Sequence, residues 1–253
     1  MKEHIMTTTD NVLAGMKCLK YLEERPLTEM AGLGLIYGNT GLGKTRFAMR
    51  MAIDNNHIYL RVKQNDTPKS LLLGILEKIM INYGIDDSSL LRGSTATLGI
   101  RVEEEINRQT TSDHIPVIFI DEIDYALDRR RDELMGTIRD LVDNTVVTIV
   151  MVGEEKAREK LMRLNRHYYG RCSYLCEFKP ISRRDAVKIM NEVSDIEIGK
   201  ELVELVSARV NGDIRNVIKF VKDFEQIAIY KGLDFLDLDG YESYLKEMQG
   251  GGR

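Results

Sequence analysis

The chain has 253 residues, and 43% of them are apolar, which is enough to bury a substantial core. Its 36 basic and 40 acidic residues give a net charge of −4, so the overall charge does not indicate nucleic-acid binding, and any such surface would be a local patch. No apolar run is long enough to span a membrane, no signal peptide is visible, and the three cysteines (Cys18, Cys172 and Cys176) do not form a disulfide framework. We therefore expect a cytoplasmic protein.

Apolar strand-like segments alternate with amphipathic helical segments over the first 178 residues. A first helix is predicted over 11–24, capped by Asp10 and ending before Pro26. The strands predicted after it cover 33–37, 57–62, 115–120, 146–152 and 174–178, and the helices cover 46–54, 69–82, 97–109, 132–142 and 154–164. This alternation predicts an α/β fold with a three-layer parallel sheet.

The pattern changes after Pro180, where no further strand is evident. Ser182 and Asp185 form an S-x-x-D helix start, and helices are predicted over 184–193, 200–210, 214–230 and 240–248. The sequence therefore predicts an α/β base over 1–180 that includes the short N-terminal helix, an all-helical lid over 181–248 and a disordered tail over 249–253.

The most specific motif is a glycine-rich loop of the form G-x-x-x-x-G-K-[ST], between the strand at 33–37 and the helix at 46–54. Glycines let several backbone N–H groups converge on one phosphate, and the following helix adds the partial positive charge of its N-terminus. Lys44 supplies a full charge, and Thr45 offers a hydroxyl to Mg²⁺. The residues predicted to surround the phosphates are Gly38, Asn39, Thr40, Gly41, Leu42, Gly43, Lys44, Thr45 and Arg46. The loop predicts that the chain binds a nucleoside triphosphate with Mg²⁺.

Two adjacent carboxylates, Asp121 and Glu122, follow the apolar strand at 115–120. In a parallel sheet they would lie at the carboxyl edge, near the phosphate loop. Asp121 is predicted to hold Mg²⁺, mostly through water, and Glu122 to polarise the water that attacks the γ-phosphate. The alternative is a surface turn with a helix cap. Because Glu122 has no evident use without hydrolysis, the pair favours a hydrolase over a module that only binds nucleotide.

Two arginines are candidates for contact with the γ-phosphate. Arg215 follows Asn-Gly-Asp-Ile at the start of a lid helix and would act on nucleotide bound by its own chain. Arg171 precedes the last strand of the base, at the far rim of the sheet, where it would reach nucleotide bound by a neighbouring copy; Arg163 and Arg166 are rivals for this role. Such an arginine increases the rate of nucleotide hydrolysis by a factor of roughly 10³–10⁵. A surface ion pair is the alternative for each.

Glu154 stands at the end of the strand at 146–152, where a polar residue would meet the attacking water. The equally supported alternative is a charge that favours the dipole of the helix after it.

Together, the phosphate loop, the acid pair, Gly153-Glu154, Arg171 and the lid arginine resemble an AAA+ ATPase, over residues 10–247. Within that class, Val150–Glu154 and the compact lid resemble the transposition ATPases of the Mu B, TnsC and TniB type, which are related to the IstB, DnaC-like and ExeA groups. Glu154 departs from that pattern, in which Thr, Ser, Asn or Gln is usual, and this puts the hydrolysis rate in doubt. The resemblance also implies adenine rather than guanine as the base.

The resemblance implies an ATP-dependent homo-oligomer, as a ring or a helical filament on double-stranded DNA. It would act in transposition target selection, in a bacterium or a phage, with hydrolysis stimulated by a transposase. A helicase loader or replication-initiation ATPase is the second hypothesis, and a signalling or defence switch that does not bind DNA is the third.

If DNA is a ligand, the candidates lie between the second strand and the helix near residue 97. In relatives this region lines the channel of a spiral assembly. The basic residues there are Arg61, Lys63, Lys69, Arg92 and Arg101, of which Lys63 and Arg92 are preferred. The run Arg129-Arg130-Arg131 is a candidate partner surface. For each of these residues, a solvated surface position is the alternative.

Overall fold

The computed structural model describes residues 1–2, 5–111, 114–128, 132–164 and 166–250. The described residues form two compact units. One unit contains 14–39 and 44–178; the other contains 1–13, 40–43 and the residues from 179 onward. The division falls inside the first helix, so the sequence-based boundary near residue 180 stays a prediction. Among the helices described, none is both long enough and apolar enough to cross a membrane.

The first unit has five strands and seven helices among its described residues. The strands are β1 (Leu33–Tyr37), β2 (Ile58–Arg61), β3 (Val117–Asp121), β4 (Thr148–Val152) and β5 (Cys172–Glu177). The helices are α1 (Asp10–Glu23), shared with the second unit, α2 (Lys44–Asp54), α3 (Pro68–Tyr83), α4 (Thr95–Gln109), α5 (Asp132–Asn144), α6 (Ala157–Leu164) and α7 (Arg166–Arg171). This order confirms the predicted α/β fold class.

All five strands are parallel and lie in the order β2-β3-β4-β1-β5. Every residue of β3 and β4 is buried, as expected for strands with helices on both faces of the sheet. Strand β1 pairs with β4 on one side and β5 on the other. The acid pair lies at the end of β3, and the phosphate loop follows β1. Strand β4 lies between these two strands in the sheet. The end of β4 is therefore the immediate neighbour of both.

Capping residues determine where several helices begin and end, and these positions differ from the ones predicted from the hydrophobic periodicity. Helix α3 begins at Pro68 because Thr67 and Ser70 form a reciprocal capping box, and it ends at Gly84, whose φ is 65°. Ser94 accepts a hydrogen bond from the N–H of Thr97, so α4 starts before the predicted position. Helix α6 starts at residue 157 rather than 154, and the six-residue α7 was not predicted.

Arg25 fastens the end of α1 to the start of β4. Its guanidinium is buried and donates to the carbonyls of Leu22, Met30, Val146 and Val147 and to the hydroxyl of Thr148. A side chain at Gly32 would overlap it, since an added Cβ would lie 2.4 Å from its Nη2. This arginine therefore stabilises the edge of the sheet opposite the phosphate loop.

The second unit contains α8 (Arg183–Val193), α9 (Lys200–Arg209), α10 (Ile214–Lys231) and α11 (Leu238–Gly250). The lid is not wholly helical as predicted, because β6 (Glu197–Ile198) and β7 (Phe235–Leu236) form a small parallel sheet. Each is two residues long, too short to show a strand period. The predicted tail is also partly wrong, since α11 includes residues 249 and 250; residues 251–253 lie outside those described.

The first residues of the chain pack on these lid helices. Lys2 N donates to the Val193 carbonyl at 2.8 Å, and Lys188 Nζ donates to the Thr8 carbonyl at 2.8 Å. The side chain of Asn11 exchanges hydrogen bonds with the backbone of Lys179, as donor at 2.8 Å and acceptor at 2.9 Å. These contacts explain why residues 1–13 cluster with the lid.

Candidate functional site

The glycine-rich loop after β1 has the backbone conformation that its sequence requires. Gly38, Gly41 and Gly43 have φ angles of 149°, 81° and 86°, in a region that L side chains rarely adopt. Lys44 opens α2, and its Nζ donates to the carbonyls of Gly38 and Asn39 at 2.8 and 2.7 Å. Thr45 is half-buried on the first turn of α2, and Arg46 is exposed on the same turn. The ammonium group of Lys44 thus contacts the first two residues of the predicted loop.

Negative charge surrounds Lys44. Burial lowers the pKa of its ammonium group, and four carboxylates oppose that effect: Asp121 most strongly, then Glu154, Asp124 and Glu122. The four acids belong to the ends of β3 and β4 and to the turn after β3. Lys44 therefore lies in the field of several acids, although no three His, Cys, Asp or Glu side chains among the described residues are grouped closely enough to hold a metal ion by themselves. Thr45 and Asp121, the predicted Mg²⁺ ligands, offer a hydroxyl and a carboxylate of the right kind.

The acid pair lies where β3 ends. Asp121 is only 3% exposed, and its Oδ1 accepts the N–H of Glu122 at 2.9 Å. Glu122 is half-buried and has a φ of 56°, which is uncommon for a residue other than glycine. Backbone strain of this kind concentrates at functional sites. The predicted roles of the two carboxylates, metal ligand and general base, stay predictions.

Two residues of β2 contact Asp121, and the sequence did not predict either contact. Tyr59 Oη donates to Asp121 Oδ2 at 2.7 Å. Arg61, which the sequence grouped with the DNA candidates, has its Nη2 3.5 Å from the same oxygen. The missed signal was the alternation along β2, which places Tyr59 and Arg61 on one face.

The end of β4 is held against its neighbours by Asp124, a residue that the sequence did not single out. Asp124 Oδ2 accepts the N–H of Glu154 at 2.6 Å, and its Oδ1 pairs with Lys160 Nζ at 2.6 Å. Gly153 N donates to the Ile36 carbonyl of β1 at 2.9 Å. Glu154 is exposed and precedes α6 by three residues. It therefore does not lie in the first turn of α6, where a carboxylate would favour the helix dipole.

Arg215 lies at the start of α10, in the unit that also contains loop residues 40–43. Ile214 N donates to the Gly41 carbonyl at 3.0 Å, and the N-cap Asp213 accepts the N–H of Arg215 at 2.7 Å. An added Cβ at Gly41 would lie 2.2 Å from Asp213 Oδ1. The start of α10 thus lies on the phosphate loop, and the Arg215 side chain is exposed beside it.

Arg171 lies away from the loop. It ends α7 just before β5, which runs parallel to β1, so it is at the amino edge of the sheet while the loop is at the carboxyl edge. Its Nε donates to Asp143 Oδ1 at 2.7 Å. The rival Arg163 has its Nη2 3.6 Å from Glu159 and is exposed, and the side chain of Arg166 lies outside the described part. The choice among the three stays open.

The DNA candidates differ in what they contact. Lys63, Lys69 and Arg92 are exposed. Arg101 Nη1 donates to the carbonyls of Ser89 and Leu90 at 3.0 and 2.8 Å and to that of Arg92, so it stabilises the 3₁₀ turn at Ser88–Leu91. Its side chain therefore has a structural role independent of DNA. The run Arg129-Arg130-Arg131 lies outside the described residues.

Comparison with protein families matches residues 28–161 to the AAA domain. That range holds β1 to β4, the phosphate loop and the acid pair. It is just over half of the chain.

Among known proteins, the chain is similar to the ORC1-type DNA replication protein 1 of Sulfolobus acidocaldarius. The two are 27% identical over 225 residues, covering 81% of this chain and 54% of that protein. The chain therefore spans about half the length of this relative.

Among solved structures, the chain is similar to the Aeropyrum pernix ORC2 protein with ADPNP and ADP, at a TM-score of 0.69 and 17% identity, over 97% of this chain and 71% of that one. The A. pernix ORC1 protein in complex with DNA gives a TM-score of 0.65 and 18% identity, over 95% of this chain and 66% of that one. At these identities the likeness concerns the fold.

Proposed function

This chain belongs to the AAA domain family of ATPases, and we propose that it is an ATP-dependent switch that assembles on double-stranded DNA. The observation that carries the proposal is a phosphate loop with its required backbone conformation, together with the acid pair at the carboxyl end of β3 in the same parallel sheet. A phosphate loop alone supports nucleotide binding. The acid pair supports hydrolysis in addition.

In the proposed reaction, Lys44 exchanges the carbonyls of Gly38 and Asn39 for phosphate oxygens, and the loop N–H groups donate to the same phosphates. Thr45 and Asp121 hold Mg²⁺, which when bound neutralises charge on the phosphates. Glu122 accepts a proton from the attacking water. The relative solved with ADPNP and ADP supports adenine as the base.

We propose that assembly depends on nucleotide shared between neighbouring copies. Arg171 lies at the edge of the sheet opposite the loop, so it acts on the nucleotide of a neighbour or on none. Arg215, beside Gly41, acts within its own chain. While the γ-phosphate is present, both copies contact it and the assembly is stable; hydrolysis removes these contacts.

For the biological role, the relatives favour replication initiation over transposition. The protein with 27% identity is an ORC1-type replication protein. The transposition role, with a transposase as partner, rests on the resemblance at Val150–Glu154 and in the compact lid, and it is the second proposal. In both cases the candidate DNA contacts are Lys63, Lys69 and Arg92, with Arg101 engaged in its own chain.

The test of DNA binding uses a labelled duplex and anisotropy, with a slowly hydrolysed ATP analogue or ADP. We expect tight binding with the analogue only, weakening as salt rises, and no binding by Lys44→Ala, which lacks the phosphate contact. Equal binding with no nucleotide, or indifference to DNA, would contradict the proposal. Addition of a replicative helicase or a transposase then separates the two roles, according to which of them changes the hydrolysis rate.

A further inference from the structure

The carboxylate of Asp121 contacts two residues of β2, which lie outside the nucleotide motifs, as well as its neighbour Glu122. The hydroxyl of Tyr59 donates to Oδ2 at 2.7 Å, the N–H of Glu122 donates to Oδ1 at 2.9 Å, and Nη2 of Arg61 lies 3.5 Å from Oδ2. Because only 3% of Asp121 is exposed, water cannot readily replace these partners. The carboxylate is therefore fixed in orientation by the protein itself.

Strand pairing explains how Tyr59 reaches this carboxylate. In the parallel pair of β2 and β3, Arg61 lies opposite Asp121, and Tyr59 lies opposite Phe119. Residues two positions apart on a strand share a face, so Tyr59, Arg61 and Asp121 lie on the same face of the sheet. The long phenol side chain reaches two residues along the strand direction to meet Oδ2.

The remaining capacity of Asp121 is small. A carboxylate has about four acceptor positions, two on each oxygen. The Tyr59 hydroxyl takes one on Oδ2, where the Arg61 guanidinium lies near the second, and the Glu122 N–H takes one on Oδ1. Oδ1 has one acceptor position without a partner among these three groups, so it is the oxygen that would meet a cation or its water.

In its bond to Asp121, the Tyr59 hydroxyl is the donor, because an ionised carboxylate can only accept. Burial, followed by its hydrogen bond to Asp121, raises the pKa of the phenol to about 12. The Arg61 guanidinium lies 3.5 Å from the same carboxylate oxygen. The three side chains therefore form one connected network at the end of two strands.

We propose that Tyr59 is a positioning residue that presents Asp121 to the Mg²⁺ of a bound nucleotide. The inference rests on the proposed function, since it requires that this chain binds nucleotide with Mg²⁺ at Asp121. It adds a residue of β2 that lies outside both nucleotide motifs. The simpler alternative is that the Tyr59 ring only packs, beside a cavity of about 310 Å³ that it lines with Ala52 and His57.

The variant that separates these readings is Tyr59→Phe, which removes the hydroxyl and keeps the ring. Tyr125→Phe is the matched control, because Tyr125 is an exposed tyrosine in the turn just after the acid pair. The readout is the affinity for a fluorescent, slowly hydrolysed ATP analogue, titrated with Mg²⁺ from zero to saturation. The Mg²⁺ concentration that gives half-maximal hydrolysis of ATP is a second readout.

For Tyr59→Phe we expect unchanged analogue affinity without Mg²⁺ and a half-saturating Mg²⁺ concentration about three- to tenfold higher, the factor that one hydrogen bond represents. Tyr125→Phe should match the wild type in both. A Tyr59→Phe value within twofold of the wild type would overturn the inference, and so would a lower value, which would mean that the hydroxyl competes with the metal. If the wild type itself binds no ATP analogue, the proposed function fails instead.

Discussion

At the scale of single residues, the chemistry of the site depends on Glu122. It has a φ of 56°, and its backbone N–H donates to Oδ1 of Asp121, the metal-binding candidate. Glutamine has the same shape and tolerates the same backbone, but it cannot accept the proton of the attacking water. The substitution Glu122→Gln therefore isolates the proton transfer.

We expect Glu122→Gln to bind ATP within about twofold of the wild type and to hydrolyse it about 10²–10⁴ times more slowly, the usual contribution of a general base. Rapid-quench measurement of phosphate release and analogue binding together check both expectations. Glu155→Gln, at an exposed position in the turn that follows β4, is the control. Normal turnover by Glu122→Gln would remove Glu122 from the proton transfer.

The residues in local motifs were predictable, and those that act across strands were not. Gly38–Thr45 and the acid pair carry their chemistry in consecutive positions, so one sequence suffices to find them. The contacts of Tyr59 and Arg61 with Asp121 depend on the pairing of β2 with β3, between residues about 60 positions apart. Asp124 looked like part of a polar turn, and its contact with the end of β4 exists only in the folded chain.

At the scale of elements, the phosphate loop is constrained by the helix that packs on it. Gly41 has a φ of 81°, and an added Cβ there would overlap Asp213 at the start of α10. Gly84, at the end of α3, has a similar φ of 65° but nothing within 4 Å of an added Cβ. Substitutions at these two glycines therefore separate two costs in stability: that of the left-handed backbone conformation, common to both, and that of the overlap with Asp213, which only Gly41 has.

We expect Gly84→Ala to lose about 1–2 kcal/mol of stability, the cost of a left-handed conformation, and to bind nucleotide normally. Gly41→Ala should lose more, and its affinity for an ATP analogue should fall at least about tenfold because the loop and α10 must move apart. Urea unfolding and analogue titration of both variants give the comparison. Equal behaviour of the two variants would show that Asp213 does not restrain the loop.

Element type was predicted well, and element ends and short elements were not. The strands of the sheet were found from their apolar runs. Helix α7, of six residues, and β6 and β7, of two residues each, are too short for a period to be visible. The starts of α3 and α4 depend on Thr67 and Ser94 side chains that bond to backbone N–H groups, a local geometry that periodicity does not resolve.

At the scale of the whole molecule, the account requires that neighbouring copies complete each other's sites. Glu122 from one copy and Arg171 from the next would meet at one nucleotide. A mixture of Glu122→Gln and Arg171→Ala subunits tests this, because each variant supplies the group that the other lacks.

The grouping of residues 1–13 with the lid arises from contacts with α8, such as that of Lys188 with Thr8, and no sequence motif predicts these contacts.

We expect each variant alone to be nearly inactive and the equimolar mixture to regain activity, since about a quarter of the interfaces in a randomly mixed assembly combine both intact groups. Steady-state phosphate release measures the recovery. Arg163→Ala in place of Arg171→Ala tests the rival arginine. Activity of the mixture equal to the sum of its parts would contradict a role for Arg171 across an interface.

The most direct measurement of the central claim is sedimentation velocity of the wild-type chain with duplex DNA and either a slowly hydrolysed ATP analogue or ADP. The account predicts large assemblies with the analogue and monomers with ADP, because only the γ-phosphate is contacted from both sides of the interface. A chain that stays monomeric with the analogue, at high protein concentration and with DNA present, would contradict the claim that nucleotide is shared between copies.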